Sequence, residues 1–330
     1  MRVLVTGAAG FIGANLCREL SGRPDVTEVV GLDNLSTGYA SNLEQAGVDL
    51  VTGSILDRRL LQDLVDRVDV VVHLAARPSV SRSLQDPVAS HEANATGSLY
   101  VLEACRLRSV HVIAASSSSV YGSVVALPKH EDLATRPLSP YAASKLAAEA
   151  YLLAYQSAFG LPGLALRFFN VYGPLQTAGH AYAAAIPAFI DAALRREPLL
   201  IHGDGQQTRD FTFVGTVVTV LADAALGGMT SPEPVNLAFG SRITISELTE
   251  RVANAVRLPV EIRHGPARPG DVRDSQAANG RLRKLFPAVT PVSLDEGLDQ
   301  TVAWFQAQSA ARHKDAPPPS RAHQAARRES

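Results

Sequence analysis

A short β-branched run at the start of the chain leads directly into a loop with three glycines. The run is RVLVT (2–6), and the loop that follows, TGAAGFIGANL, places Gly7, Gly10 and Gly13 at the start of a segment with helical spacing. Glycine permits a tight turn and lets the backbone approach a ligand closely. The first N–H groups of a helix are free and carry a partial positive charge, so they attract a pyrophosphate. The pattern predicts a strand, a dinucleotide-binding turn and a helix.

Short apolar runs alternate with helical patterns through the first half of the chain. The predicted strands are nearly continuous in apolar character, as expected for strands covered on both faces. They are RVLVT (2–6), TEVVGL (27–32), VDLVT (48–52), VDVVVHL (68–74), VHVIAA (110–115) and GLALRF (163–168), and the predicted helices span about 11–22, 57–67, 86–108 and 141–159. This alternation predicts an α/β fold with a doubly wound parallel sheet, the Rossmann arrangement.

The pattern changes after about residue 170. Short predicted strands near 199–201, 211–213 and 234–237 mix there with predicted helices near 181–196, 214–226, 245–257 and 294–308. We therefore predict a dinucleotide-binding domain over 1–170 and a smaller α+β substrate lobe over 171–310, with the chain free to cross back between them. The tail, 311–330, contains three consecutive prolines and several arginines and is predicted to be disordered.

The overall charge narrows the class of partner. The 330 residues include 32 acidic and 31 basic side chains, which gives no electrostatic reason to bind nucleic acid or an anionic membrane. The two cysteines are far apart and the histidines lack metal-site spacing, so we predict neither a disulfide framework nor a metal. No apolar run approaches the ~18 residues of a membrane helix and no secretory leader is evident, so a cytoplasmic location is expected.

An acidic residue follows the second predicted strand, 20 residues after Gly13. A carboxylate at that place, Asp33, accepts hydrogen bonds from an adenosine ribose and repels a 2′-phosphate. The alternative interpretation is a structural glycine turn with a surface aspartate. Together with the glycine loop, Asp33 favours NAD over NADP as the cofactor.

Four hydroxyls, SSSS (116–119), follow the fifth predicted strand, and the stretch YAASK places Tyr141 and Lys145 four residues apart. Ligands of a doubly wound sheet lie beyond the carboxyl ends of its strands, so the serines are expected to face that crevice. A free tyrosine has a pKa of about 10, but a nearby ammonium and an oxidised nicotinamide favour the phenolate. Tyr141 is then a base for a sugar hydroxyl that Ser117 positions. The alternative is a solvated serine loop and a surface YxxxK pair.

These motifs together resemble those of the extended short-chain dehydrogenases/reductases, in the NAD-dependent epimerase/dehydratase family, and most of all its UDP-glucose/UDP-N-acetylglucosamine 4-epimerases. The resemblance covers about residues 1–308 through TGAAGFIG, DNLS, HLAA, SSSSVYG, YAASK, RFFNVYGP, RDF and RPGDVR. It implies an NAD-dependent isomerase that interconverts C4 epimers of a UDP-hexose through a transient 4-keto sugar. It also implies a homodimer built from the helices near 88–108 and 141–159, with apolar positions Leu99, Leu102, Leu146, Leu152 and Leu153.

The resemblance also implies a set of site residues. The catalytic set would be Ser117, Tyr141 and Lys145. The positions that match NAD contacts are Gly7, Gly10, Phe11, Ile12, Gly13, Asp33, Asn34, Ser36, Thr37, Gly38, Ser54, Ile55, Leu74, Ala75, Ala76, Arg77, Asn94, Ser116, Tyr141, Lys145 and Phe168. The positions that match substrate contacts are Ser79, Val80, Ser117, Ser118, Ser119, Tyr141, Asn170, Ala185, Leu200, His202, Arg209, Arg268, Asp271 and Ser275. In this assignment the uracil lies near Leu200 and His202, and the diphosphate near Asn170 and the two arginines.

Departures from the family pattern bear on the choice of reaction and sugar. Ser118 and Ser119 stand where 4,6-dehydratases carry an Asp-Glu pair, and neutral hydroxyls cannot shuttle protons near neutral pH. Ser275 stands where a tyrosine would narrow the sugar pocket, which implies room for an acetamido group. Arg77 stands where the family commonly has a glutamine. Ser54 stands where the family usually has an acidic residue that contacts the adenine. A dehydratase, a UDP-glucuronate 4-epimerase and a catalytically idle NAD-binding regulator remain the alternatives.

Overall fold

Strands and helices alternate along the chain in the computed structural model, which describes residues 1–44, 46–178, 184–267 and 272–314. The strands are β1 (Arg2–Thr6), β2 (Glu28–Asp33), β3 (Asp49–Thr52), β4 (Val70–His73), β5 (His111–Ser117), β6 (Gly163–Phe168), β7 (Asn170–Tyr172), β8 (Leu199–His202), β9 (Thr208–Arg209), β10 (Phe211–Phe213), β11 (Val235–Leu237), β12 (Ile243–Thr244) and β13 (Ile262–Gly265). The helices are α1 (Phe11–Ser21), α2 (Arg58–Val65), α3 (Val80–Gln85), α4 (Pro87–His91), α5 (Gly97–Arg106), α6 (Pro140–Phe159), α7 (Ala185–Leu194), α8 (Val214–Leu226), α9 (Ile245–Val256), α10 (Gly280–Leu285) and α11 (Leu294–Lys314).

Seven strands form one parallel sheet in the order β11-β6-β5-β4-β1-β2-β3. Alternate side chains of a strand point to opposite faces, and both faces of this sheet are covered. On β1, Val3 joins the core that includes α1 and α8, whereas Leu4 joins the core that includes α2, α5 and α6. The strands are therefore apolar on both sides, which explains their nearly continuous hydrophobic runs. The predicted α/β, doubly wound fold is confirmed.

The chain returns to the sheet after residue 170. Strand β11 pairs with β6 in parallel, and α8 packs against α1. Three short strand pairs, β7 with β10, β9 with β12 and β8 with β13, lie outside the sheet. The division into lobes over 1–170 and 171–310 stays a prediction.

The predicted helix over 86–108 is present as one continuous helical segment that contains a π-helical turn. α4, the π-helical turn over Glu92–Thr96 and α5 follow one another directly. A Cβ on Gly97, which follows the turn, would lie 2.4 Å from the Ile55 side chain, so the helix is packed closely there. Such turns occur often at functional sites, and this one carries Asn94.

The end of the chain also differs from expectation. Helix α11 continues to Lys314, four residues into the segment predicted to be disordered, because QAQSAAR consists mostly of good helix formers. Residues 315–330 lie outside the described part. Across the described ranges, no helix combines the length and apolarity that a bilayer-crossing segment requires.

Candidate active site

The glycine loop between β1 and α1 has space for backbone only. Gly7 has φ +72°, and a Cβ there would lie 2.7 Å from the backbone N of Ala75. A Cβ on Gly13 would lie 2.1 Å from the carbonyl oxygen of Gly7. Gly10 is the extended N-cap residue of α1, and Phe11 and Ile12 form the first turn. The loop therefore brings the backbone N–H groups at the N-terminus of α1 to the edge of the sheet, as phosphate binding requires.

Asp33, the last residue of β2, is fixed against this loop. Its Oδ2 accepts a hydrogen bond from the backbone N–H of Ala9 at 2.9 Å, and its Oδ1 accepts one from Leu35 at 2.8 Å. A Cβ on Gly38 would lie 2.6 Å from the carbonyl carbon of Ala9, so the segment after β2 lies on the glycine loop. The same segment presents the exposed residues Asn34, Ser36 and Thr37. This arrangement fits the adenosine ribose and pyrophosphate of a dinucleotide.

The segment after β4 forms the next part of the crevice. The backbone N–H groups of Leu74 and Ala75 donate hydrogen bonds to Thr6. The Asn94 side chain accepts a hydrogen bond from the N–H of Arg77 at 2.7 Å and donates one to its carbonyl at 3.3 Å. The Arg77 guanidinium pairs with Asp86 at 2.9 Å. Thr6 thus fixes the backbone of Leu74 and Ala75, Asn94 fixes that of Arg77, and the Arg77 charge is paired with the N-cap residue of α4.

His73, which sequence reasoning did not single out, lies beneath this segment. Its Nδ1 hydrogen-bonds to Thr6 Oγ1 at 2.7 Å and its Nε2 to Ser98 Oγ at 2.9 Å. Burial, with a smaller contribution from the nearby Lys145 charge, lowers the pKa of His73 to about 3. The ring is therefore a neutral bridge between β1, β4 and α5. The signal was present in the motif HLAA, where the histidine precedes the predicted contact residues.

Helix α6 carries Tyr141 and Lys145 to the end of β5. It begins with an N-cap, Ser139, whose hydroxyl accepts from the N–H of Ala142 at 3.1 Å, and Pro140 occupies the first turn. Tyr141 hydrogen-bonds to Ser117, the last residue of β5, and Lys145 lies one helical turn further. The structure therefore brings the three predicted catalytic residues together.

Burial is the main cause of the pKa shifts of Tyr141 and Lys145 on α6. Burial raises the pKa of Tyr141 above its ordinary value, and the hydrogen bond with Ser117 lowers it by less. Burial lowers the pKa of Lys145 to about 8, and the Glu149 carboxylate opposes that change. Near neutral pH the site therefore holds a neutral phenol beside an ammonium. Proton removal from Tyr141 needs further positive charge close to the ring.

The four serines do not all face the crevice, and that expectation is wrong for Ser116. Its hydroxyl donates to Glu149 Oε2 at 2.6 Å and so points towards α6, because successive side chains of β5 alternate in direction. Ser117 Oγ accepts from the hydroxyl of Ser119 at 2.9 Å, while Ser118 begins a 3₁₀ turn. Phe168 lies beside Ser117 on β6. Ser117 therefore lies beside Tyr141, and Ser119 is bonded to Ser117.

A cavity of about 390 Å³ lies beyond β7 and contains five of the predicted substrate residues. They are Asn170, Ala185, Leu200, His202 and Arg209. Sequence reasoning missed several apolar and amide neighbours, among them Phe169, Tyr172, Phe189, Gln207 and Phe211. The motif RFFNVYGP could have indicated the first two, since they flank the predicted Asn170. An apolar cleft with a few polar groups is typical of a small-molecule site.

The polar groups of this cavity are held by backbone contacts. Asn170 donates from both its N–H and its Nδ2 to the carbonyl of Asp210, at 3.2 and 3.1 Å. Arg209 donates from Nη1 to the carbonyls of Thr208 and Arg273, at 2.7 and 3.3 Å. Gln207 donates to the carbonyl of His202 at 2.7 Å. Asn170, Gln207 and Arg209 are thereby fixed in the lining of the cavity.

The remaining predicted substrate residues lie elsewhere or outside the described ranges. Ser79 has φ +104° and caps α3, which begins at Val80. Ser275 donates its N–H to the carbonyl of Thr208 at 3.2 Å and is absent from the lining that the described residues form. Arg268 and Asp271 lie outside the described residues. Ser54 starts the turn after β3, where its hydroxyl accepts from Leu56 at 3.1 Å, and Ile55 is buried behind it.

A doubly wound sheet with a glycine-rich first turn and a Ser117–Tyr141–Lys145 set defines an enzyme of the short-chain dehydrogenase/reductase type. The profile of the NAD dependent epimerase/dehydratase family matches residues 3–238. The chain is 39% identical to a UDP-glucose 4-epimerase of Mycolicibacterium smegmatis, over 94% of this chain and all of that protein. The chain belongs to the NAD-dependent epimerase/dehydratase family, and its cofactor is NAD.

Two solved structures resemble this fold closely. A UDP-N-acetylglucosamine 4-epimerase from Methanobrevibacter ruminantium, in complex with UDP-N-acetylmuramic acid, superimposes with a TM-score of 0.88 at 35% identity, covering 93% of this chain and 98% of that one. A UDP-glucose 4-epimerase from Thermus thermophilus, in complex with NAD, gives 0.84 at 36% identity, covering 93% and 99%.

Proposed function

We propose that the protein is a UDP-sugar 4-epimerase that interconverts the C4 epimers of a UDP-hexose through a transient 4-keto sugar. The observation that carries the proposal is the hydrogen bond between Tyr141 and Ser117 beside Lys145, with hydroxyls rather than carboxylates at positions 118 and 119. A dehydration at C6 needs an acid and a base in that place. Relatives that share the fold include epimerases of both UDP-glucose and UDP-N-acetylglucosamine.

In this mechanism, the protein residues orient the sugar and move one proton. Ser117 holds the C4 hydroxyl, and Tyr141 removes its proton as the O–H bond breaks and the C4 hydrogen leaves with its electron pair. NAD, when bound, would supply the hydride acceptor and donor for this step, together with a positive charge that favours a phenolate. Rotation of the keto sugar presents its other face, and Tyr141 returns the proton to O4. The cycle has no net redox change.

The crevice described above is the proposed NAD site. The N–H groups at the start of α1 would meet the pyrophosphate, Asp33 the adenosine ribose, and Lys145 the nicotinamide ribose. The backbone that Asn94 orders would border the cofactor between them. Ser116 would contact NAD through its backbone, since its hydroxyl is bonded to Glu149.

The cavity beyond β7 is the proposed nucleotide site. Its apolar part beside Leu200 would accept the uracil, and Arg209 would meet the diphosphate because its guanidinium is planar and always charged. We propose UDP-N-acetylglucosamine/N-acetylgalactosamine, UDP-glucose/galactose, or both as the sugar pairs. By the family resemblance alone, the small residue at position 275 would leave room for an N-acetyl group, since Ser275 does not line the described part of the cavity.

Incubation with UDP-glucose and with UDP-N-acetylglucosamine is expected to give the matching C4 epimer without loss of water, since no acid follows Ser117. Proton NMR of the products distinguishes the outcomes. Release of a 4-keto-6-deoxy sugar would show a dehydratase instead. Turnover of UDP-glucuronate alone would favour a glucuronate epimerase. Tight NAD binding with no turnover of any sugar would favour a catalytically idle regulator.

We further propose a homodimer through α4, α5 and α6. The prediction that Leu102 and Leu152 serve this interface is wrong, because both are buried in the core of the chain itself. Leu99, Leu146 and Leu153 remain partly exposed on these helices, and a shallow groove between α4 and α6 is lined by Val88 and Ala147.

Light scattering at micromolar concentration is expected to give twice the 35.0 kDa chain mass. Val88→Asp is expected to shift the protein toward monomer, because Val88 on α4 is 65% exposed and a buried charge in the interface is unfavourable. Val125→Asp, at a loop position that is 92% exposed and lies outside these helices in sequence, is the matched control. A monomer mass for the wild type would contradict the proposal.

A further inference from the structure

A buried carboxylate lies one helical turn beyond Lys145, and the proposed chemistry does not yet use it. Glu149 on α6 is 4% exposed. Its Oε2 accepts from Ser116 Oγ at 2.6 Å and from Arg167 Nε at 2.9 Å, and its Oε1 accepts from Arg167 Nη2 at 2.7 Å. Bidentate pairs with such geometry are strong and fix the orientation of both groups.

The two partners of Glu149 come from neighbouring strands. Ser116 of β5 and Arg167 of β6 lie side by side in the sheet, so both reach the same turn of α6. Burial lowers the pKa of Arg167, but the bonded Glu149 raises it overall, so the guanidinium is charged. The guanidinium carbon Cζ of Arg167 also lies 4.8 Å from the centre of the Tyr121 ring. The strand ends are thereby tied to the helix that carries Tyr141 and Lys145.

We infer that Glu149 is a positioning residue for the proposed reaction, which holds Lys145 in its charged form and fixes the α6 turn behind it. The inference rests on the proposed catalytic set. Side chains four residues apart on a helix lie within about 5–6 Å at their Cβ atoms. Burial lowers the pKa of Lys145 to about 8 and the Glu149 charge raises it, so the carboxylate opposes loss of the ammonium proton. Without the carboxylate, the buried Arg167 would lose its bonded partner and Lys145 would lose the charge that opposes its deprotonation.

Other titratable groups around this part of α6 do not replace the carboxylate. His73 on β4 is neutral, and Tyr121 after β5 has a raised pKa because of burial. Glu131 accepts from the N–H of Asn236 at 2.9 Å. On α5, Glu103 and Arg106 pair with each other at 3.0 Å beside Tyr155. The exposed groups nearby are His91 and Glu92.

The inference can be tested on Lys145 directly, because the chain has only four lysines. They are Lys129, Lys145, Lys284 and Lys314. Protein labelled with ¹³C at the lysine ε-carbon is titrated by NMR, and Lys145→Ala identifies the signal. In Glu149→Gln the midpoint of Lys145 is expected to fall by about one pH unit or more, since a neighbouring opposite charge is lost. The other lysines serve as internal controls.

The direction of the shift separates an electrostatic role from a structural one. Loosening of the helix would admit water and raise the Lys145 midpoint toward the ordinary lysine value. Arg167→Met keeps the Glu149 carboxylate and removes a cation. The midpoint of Lys145 in this variant is therefore expected to stay the same or rise. Should Glu149→Gln fail to fold because Arg167 loses its partner, Glu149→Gln/Arg167→Met is compared with Arg167→Met, since these two variants differ only in the carboxylate. The midpoint of Lys145 is expected to be lower in the double variant than in Arg167→Met.

A Lys145 midpoint in Glu149→Gln that is no lower than in wild type, or in the double variant no lower than in Arg167→Met, overturns the inference. As a second measurement, the pH at which kcat/KM declines on the alkaline side is expected to move down in Glu149→Gln. The titration does not depend on the sugar reaction. If no sugar turns over, the proposed function fails while the Lys145 titration still decides the role of Glu149.

Discussion

Tyr141→Phe is expected to lower turnover by about 10²–10⁴-fold, the usual contribution of general acid–base catalysis, while NAD remains bound. The phenol is the group that Ser117 contacts, and phenylalanine keeps its packing but has no proton to exchange. Steady-state rates on the UDP-sugar that the wild type accepts give the loss in kcat. Absorbance of the purified variant at the nicotinamide and adenine bands shows whether the cofactor is retained.

Tyr151→Phe is the matched control for this substitution. Tyr151 lies on the same helix, ten residues further, and is 42% exposed. It is expected to leave both turnover and NAD content unchanged. Near-wild-type turnover in Tyr141→Phe would exclude Tyr141 as the base. Loss of NAD from that variant would show that the hydroxyl serves cofactor binding instead.

Gly13→Ala is expected to reduce NAD binding by about tenfold or more and to destabilise the fold by about 1–3 kcal/mol. The added Cβ would lie 2.1 Å from the Gly7 carbonyl oxygen and 2.9 Å from the Ala8 Cα, and both neighbours are backbone. The turn must therefore move, and with it the N–H groups offered to the pyrophosphate. Isothermal titration with NAD and a thermal melt measure the two effects.

Gly280→Ala provides the comparison for the glycine loop. Gly280 begins α10, and no atom lies within 4 Å of the Cβ that alanine would add. Its NAD affinity is expected to equal that of wild type, and its stability to be equal or slightly higher because alanine favours a helix. If Gly13→Ala bound NAD as tightly as Gly280→Ala, the close packing of the first turn would not be needed for the cofactor.

The sequence by itself determined the elements whose signals are local. Strands covered on both faces are apolar throughout, so β1, β2, β4, β5 and β6 could be located from short windows of residues. The glycine spacing and the 20-residue interval to Asp33 describe one βαβ unit, and the four-residue interval from Tyr141 to Lys145 is one turn of a helix. Because such patterns depend on neighbours along the chain, they predicted the fold class and led to the proposed catalytic trio.

Only the tertiary structure decided which distant residues meet. The return of β11 to the sheet, the π-helical turn that presents Asn94 to Arg77, and the cavity around Arg209 join segments that are far apart in sequence. The direction of the Ser116 hydroxyl depends on the pleat of β5 and on a carboxylate 33 residues away. That carboxylate belongs to Glu149, which no sequence pattern distinguishes from the other charged residues of the helices. Its burial and its pairing with Arg167 follow from how α6 packs on the sheet, and packing between distant segments leaves no local pattern.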